Sequence, residues 1–175
     1  MSATLLEAES TSGVVRSRPG RWTRTAGIAV AVVVGVVVAL FVFVFDVYTV
    51  EGGSMEPGLP NGSRIVVNRW GGADVDDLAV VRVDRFSDSM ASVKRVVAVA
   101  GDEIAYDECV LFRNGEPVDE PYVADIERCG GSIEATVVPP GHLYVLGDNR
   151  AMSMDSRAFG PIPIDDVVGT VSWTP

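Results

Sequence analysis

The run from Ala26 to Phe45, AGIAVAVVVGVVVALFVFVF, constrains this chain more than any other feature. It contains no charged or strongly polar side chain. Twenty residues at about 1.5 Å per helical residue reach about 30 Å, the thickness of a bilayer's hydrocarbon core. Valine is a mediocre helix former in water. In lipid the backbone must satisfy its polar groups internally, so the helix wins. A cleaved leader has a shorter apolar core, about 7–15 residues, followed by a small-x-small site. Here DVYTVEGG follows instead. The run therefore reads as an uncleaved signal anchor. Arg16, Arg18, Arg21 and Arg24 precede it, and the next basic residue is Arg64. The positive-inside rule then puts the N-terminus in the cytoplasm and the remainder outside. Three segments follow: a disordered cytoplasmic tail over 1–25, a transmembrane helix over 26–45, and an extracytoplasmic domain over 46–175.

Charge supports that division. The chain has 175 residues and a net charge of −10. Residues 46–175 hold 10 basic and 22 acidic side chains, whereas residues 1–25 are net positive. An acidic body argues against nucleic acid as a partner, because phosphates need Lys/Arg neutralisation. The ordinary reading of this acidity is solubility. The two cysteines, Cys109 and Cys129, lie in the exported part, where disulfides persist. No C-x-x-C or histidine cluster accompanies them, which argues against zinc. A bridge between them is favoured over two free buried thiols.

The exported part reads as all-β. SRIVVNRW (63–70), LAVVRV (78–83), SVKRVVAVA (92–100), HLYVLG (142–147) and DVVGTVSW (166–173) are short and Val-rich. Asn114-Gly115, in CVLFRNGEPV, is a strong hairpin signal. No long helical stripe and no internal repeat follows the apolar run. The expected fold is a small antiparallel β-sheet or barrel-like domain preceded by one N-terminal transmembrane helix.

Two residues stand out chemically. The chain has thirteen arginines and one lysine, Lys94, within SVKRVVAVAGD. Arginine cannot lose its proton in a protein, whereas a desolvated lysine can. Strand alternation points Lys94 and Arg95 to opposite faces. Chance placement at a strand edge is the plain alternative. Ser54, in VEGGSMEPGLPNGSRIVV, lies on a constrained turn, where Gly52 and Gly53 let backbone N–H groups approach a carbonyl. An ordinary turn serine is the plain alternative there. A serine nucleophile needs a base. The single histidine, His142, follows a Pro-Pro-Gly turn and suits a strand start better than a triad. A Ser-Lys pair is the other available chemistry.

LGDNRAMSMDSRAFGPI (146–162) completes an ordered triple: G-S-M-x-P after an apolar span, then VKRVVAVAGD, then GDNR..S.DSR..G. This resembles the bacterial type I signal peptidases over roughly Val50–Trp173. FRNGEPVDEPYV (112–123) is similar to a further family segment. The resemblance implies Ser54 as nucleophile and Lys94 as general base, with Met55 and Pro57 shaping the turn. It implies that Ser153 holds the lysine amine and that Asp155 pairs with Arg157. Gly147, Asp148, Asn149 and Arg150 would build the adjoining loop. It further implies preprotein signal peptides as substrates, cut after small residues, and a lipid bilayer as setting. No cofactor and no metal is implied. The chain departs from the family at Gly52, where many members carry a Ser or Thr that helps hold the oxyanion. It departs also at Pro57-Gly58-Leu59 and Gly62-Ser63. From Phe45 to Ser54 the chain can span at most about 30 Å, so the nucleophile must work close to the membrane face. The alternatives are a membrane-anchored binding or scaffolding module with a decayed site, and a Ser/Lys self-cleaving regulator.

Overall fold

A computed structural model of the chain describes residues 21–82, 91–123, 129 and 131–174. The tail expected over 1–25 lies outside these residues as far as residue 20. Helix α1 spans Arg21–Val44. It starts before the apolar run, and Phe45 already belongs to the first strand. Its stretch Thr25–Val44 has a mean hydropathy of 3.1 and is long enough to cross a membrane.

The strands are β1 (Phe45–Thr49), β2 (Arg64–Asn68), β3 (Leu78–Arg82), β4 (Ala91–Val99), β5 (Glu103–Asp107) and β6 (Val110–Arg113). They continue as β7 (Glu116–Pro117), β8 (Ile133–Val137), β9 (His142–Leu146), β10 (Ile162–Pro163) and β11 (Val167–Trp173). One short helix, α2 (Ser156–Phe159), lies between β9 and β10. The larger sheet has the order β1-β2-β11-β3-β4-β9-β10, and the smaller β7-β6-β5-β8. All the pairings are antiparallel.

Alternation explains the faces. In β2, Ile65 and Val67 are buried while Arg64 is exposed. In β4 the register against β9 shifts between Val96 and Ala98. Such a bulge breaks the two-residue period, so Val96, Val97 and Ala98 are all buried. β4 can thereby serve two cores. Ala98 packs with Ile104, Tyr106 and Leu111 of the smaller sheet. Val96 packs with Val81, Val145 and Phe159. A third cluster joins Met55 and Leu59 to Ile65, Val67 and Val80. That cluster lies beneath the turn carrying Ser54.

The Asn114-Gly115 hairpin joins β6 to β7, and both residues have positive φ, 54° and 82°. This is the backbone a tight two-residue hairpin requires. Cys109 and Cys129 form a disulfide across a sequence separation of 20, with Cα atoms 5.4 Å apart.

Candidate active site

The loop from Val50 to Ser63 is closed at its base. Val50 N–H donates to Ser63 O at 2.8 Å, and Gly62 N–H donates to Val50 O at 2.8 Å. Met55 and Leu59 reach into the core and fasten the loop from below. Gly52 has φ +86°, which is why a glycine suits this position. Its N–H is occupied by Asn61 Oδ1 at 3.0 Å. Gly53 and Ser54 are gripped from the opposite side by Asn149. Its side-chain amide donates to Gly53 O at 3.0 Å, and its backbone N–H donates to Ser54 O at 3.0 Å. Pro57 is exposed on the same turn. Ser54 is thus held at both carbonyls and from beneath, with its hydroxyl half-buried on a cleft of about 170 Å³.

Lys94 comes from the middle of β4 and is only 2% exposed. Its amine lies 2.9 Å from Ser54 Oγ and 2.8 Å from Ser92 Oγ. Burial pushes its pKa from 10.5 down to about 8, against the opposing pull of Asp155 and then Asp148. Both carboxylates are engaged elsewhere. Asp148 takes a bidentate pair from Arg95, at 2.8 Å on each oxygen. Asp155 takes Arg157 Nε at 2.8 Å and Nη2 at 2.9 Å. It also accepts the Gly147 N–H at 3.0 Å.

The remaining loop residue, Arg150, donates to both oxygens of Glu120, at 2.8 and 2.6 Å, and to Gly147 O at 3.0 Å. The guanidinium of Arg95 stacks over Tyr122, 3.8 Å from the ring centroid. Ser54, Lys94, Asn149, Asp148, Asp155, Arg157 and Arg150 are therefore joined in one bonded neighbourhood.

Ser153 is placed differently from what the resemblance implies. Its hydroxyl is buried and, among the described residues, makes no hydrogen bond, to Lys94 or to any other group. Its side chain, with the Ser54 carbonyl, fills the space that a Cβ at Gly147 would need. That close approach explains the glycine at 147. The second hydroxyl on the amine, beside that of Ser54, belongs to Ser92, two residues before Lys94 on the same strand face. Sequence reasoning missed it, although period-two alternation could have found it. Glu120 was missed as well, since nothing local ties it to Arg150 thirty residues away. His142 is half-exposed, and its Nδ1 lies 2.9 Å from Pro140 O, within its own turn.

Comparison with known proteins decides the family. A family model, Signal peptidase, peptidase S26, matches residues 21–174. The chain belongs to the signal peptidase family. A signal peptidase I of Bacillus caldolyticus is 40% identical over 158 residues, covering 81% of this chain and 85% of the relative. A signal peptidase IB of Staphylococcus aureus is 36% identical over 168 residues, covering 83% and 84%. The crystal structure of a signal peptidase I from Enterococcus faecalis V583 superposes with a TM-score of 0.51 at 25% identity. It covers 58% of this chain and 98% of its own. As a family member the chain is a membrane-anchored signal peptidase, a hydrolase, built on the family's antiparallel β fold.

Proposed function

We propose that this signal peptidase cleaves preproteins with a Ser54/Lys94 dyad. The observation that carries the reading is the 2.9 Å contact between the Ser54 hydroxyl and a buried lysine amine without a carboxylate partner of its own. With the amine neutral, its lone pair faces the hydroxyl. Ser54 Oγ attacks the carbonyl of the scissile bond while Lys94 takes its proton. The Ser54 N–H, on a backbone whose carbonyls are fixed by Asn149, is the donor offered to the developing oxyanion. The Gly52 N–H is engaged by Asn61, and Gly52 has no hydroxyl to add. Lys94 then returns the proton to the leaving amine. It next deprotonates the water that releases the acyl group from Ser54.

The cleft favours small residues. It is small, about 170 Å³, and lined on its apolar side by Val50, Met55, Val80 and Val93. β1 is an edge strand. β4 meets β9 only from Arg95 onward, so among the described residues Ala91–Val93 have one unpaired edge. An extended peptide laid along such an edge turns every second side chain toward the enzyme. Small residues immediately before the cut and two positions earlier meet this demand. The basic N-terminal segment puts the tail in the cytoplasm and the peptidase domain on the outer face of the cell membrane.

The test is incubation of the detergent-solubilised full chain with a preprotein. The expected result is one cut after a small residue, lost in Ser54→Ala and blocked by Phe at either small position of the substrate. Cutting by Ser54→Ala at the rate of the unaltered protein would refute the dyad. Equal cutting of the Phe-substituted preprotein would refute the cleft assignment.

A further inference from the structure

We infer that Tyr122 is a positioning residue for the reaction, whose ring clamps the Arg95–Asp148 ion pair and keeps the Asp148 charge from acting on the Lys94 amine. Tyr122 belongs to FRNGEPVDEPYV, a segment that the dyad itself does not use. After β7 the chain stays tied to β6 by the Val118 N–H, which donates to Leu111 O at 2.8 Å. It then runs on as a strap to Val123, whose N–H closes a turn on Glu120 O at 3.0 Å. Two arginines hold the strap. Arg150, in the loop after β9, donates to both oxygens of Glu120. Arg95, on β4, places its guanidinium carbon 3.8 Å from the centre of the Tyr122 ring. The Tyr122 hydroxyl donates to Glu120 Oε1 at 2.8 Å, which fixes the ring. The strap also borders a cavity of about 380 Å³ shared with Cys109, Val110 and Leu111. Packing alone therefore does not seat it.

The clamp matters because Lys94 and Arg95 are adjacent on β4 and both answer to Asp148. Arg95 meets the two carboxylate oxygens directly, whereas Lys94 feels the same charge across space. How much of it reaches the amine depends on how firmly Arg95 holds the carboxylate. The Arg95 edge is taken up by Asp148 and by Asp76 O, which accepts from Nη1 at 2.9 Å. Tyr122 covers a face. An aromatic ring over a guanidinium adds cation–π attraction and displaces water from the ion pair. The Arg95 side chain is accordingly only 14% exposed. Burial, with Glu120 alongside, pushes the Tyr122 pKa up, so the ring remains a neutral donor while Lys94 titrates. The other carboxylates near the amine are Asp155, held by Arg157, and Glu51, which lines the cleft. Its cross-strand partner on β3 is the apolar Ala79. Asp148 is the carboxylate tied to Tyr122, through Arg95.

The inference rests on the dyad reading and is tested separately from it. Single-turnover cleavage is measured from pH 6 to 10 for the full chain in detergent and for Y122L and Y122F, each also combined with D148N. The protonation of Lys94 is read in parallel from the nitrogen resonance of isotope-labelled lysine. Lys94 is the only lysine, so there is one signal. Y122L keeps an apolar side chain but lacks the aromatic face. It should raise the Lys94 pKa, because a loosened Arg95 leaves more of the Asp148 charge to the amine. The rate at pH 7 should then fall about three- to tenfold, while the rate at pH 10 stays within about twofold. Y122F keeps the face and should retain the unaltered profile. In D148N, with no charge left to clamp, Y122L should not move the Lys94 titration. Plain loss of packing in Y122L would lower the rate alike at pH 7 and pH 10, or shift Lys94 equally in D148N. Either pattern overturns the inference. So does a Y122L protein with unchanged rates and an unchanged Lys94 titration, or a Y122F protein that behaves as Y122L does. Should D148N fail to fold, the Lys94 titrations of Y122L and Y122F decide it. A K94R protein that cleaves would overturn the dyad reading instead, and the Lys94 resonance in Y122L would still report on the clamp.

Discussion

Lys94 and the three arginines around it are all largely buried cations, yet they are held in opposite ways. Arg95, Arg150 and Arg157 each meet a carboxylate through two hydrogen bonds. Lys94 meets two hydroxyls. Ion pairing fixes the arginines and leaves them charged, which suits a scaffold. Withholding a carboxylate from Lys94 leaves burial as the larger influence on its proton. The two arrangements are linked. Asp148 and Asp155 are the carboxylates that act on Lys94, and both are occupied by arginines. The scaffold thus keeps negative charge close to Lys94 without delivering it to the amine.

The largest test erases the difference between the two kinds of cation. Lys94→Arg keeps the charge and roughly the length but cannot release a proton. Cleavage should fall by about 10³-fold or more at every pH from 6 to 10. In the unaltered protein the rate should rise with pH through about 8, because only the neutral amine is a base. A Lys94→Arg protein with the unaltered pH profile would mean that another group takes the proton, and His142 would be the first to examine.

The next test breaks a scaffold pair. Asp155 is fully buried, and Asp155→Ala removes the carboxylate that the Arg157 guanidinium meets through two hydrogen bonds. The expected loss is about 3–5 kcal/mol, read from denaturant unfolding in detergent. The same change removes the largest electrostatic influence raising the Lys94 pKa. Any cleavage that survives should therefore have its lower limb at more acidic pH. Unchanged stability would show that the pair is dispensable and would undo the contrast with Lys94.

How much of this could be read in advance differs between fold and site. The Val-rich runs of β2, β3, β4, β9 and β11 announce themselves because apolar β-branched residues suit a pleated, buried surface. β1 (FDVYT) was hidden by the apolar run it continues, and β5 (EIAYD) and β8 (IEATV) by their charged outward positions. Ser54 and Lys94 were visible, since a glycine-flanked serine and a lone lysine are unusual locally. The Asp155–Arg157 pair was implied by the resemblance as well, but the long-range partners of the neighbouring residues were not. Arg95 finds Asp148 across a separation of 53, and Asn149 finds Gly53 across 96. No periodicity encodes such pairings, because they are set by how the sheets fold over one another. Ser92 escaped for a different reason. A serine on a strand is ordinary, and only the lean of the lysine brings the amine to it.

A third test asks what the unpaired lysine costs. Its pKa is about 8 in the folded chain against 10.5 for a free lysine. Below pH 8 both states carry the proton, and the folded state bears the whole penalty of a buried charge. Between the two values the unfolded state binds more protons, so stability rises with pH. Above 10.5 neither state is charged and the penalty is gone. Lys94→Met should therefore stabilise the inactive protein at pH 7 by about 3 kcal/mol, with the gain vanishing above pH 10.5. A gain independent of pH would assign the effect to packing rather than to the proton.

The smallest expected effect comes from the same kind of ion pair taken out of the core. Arg69 and Asp46 approach to 3.4 Å, with side chains 49% and 37% exposed. Water solvates both partners well when they are apart, and salt screens them when they meet, over about 10 Å at 0.1 M. Such a pair contributes at most about 1 kcal/mol. Arg69→Ala keeps the backbone hydrogen bond from residue 69 to Val44 O at 3.0 Å, so the change isolates the side chain. The loss should be under about 1 kcal/mol and should shrink further in high salt. The Asp155→Ala loss should be several times larger and nearly insensitive to salt, because its partners are shielded from solvent ions. Equal losses in the two variants would mean that burial does not separate the scaffold pairs from a surface pair. Buried partnering, given to the arginines and denied to Lys94, would then not be what organises this site.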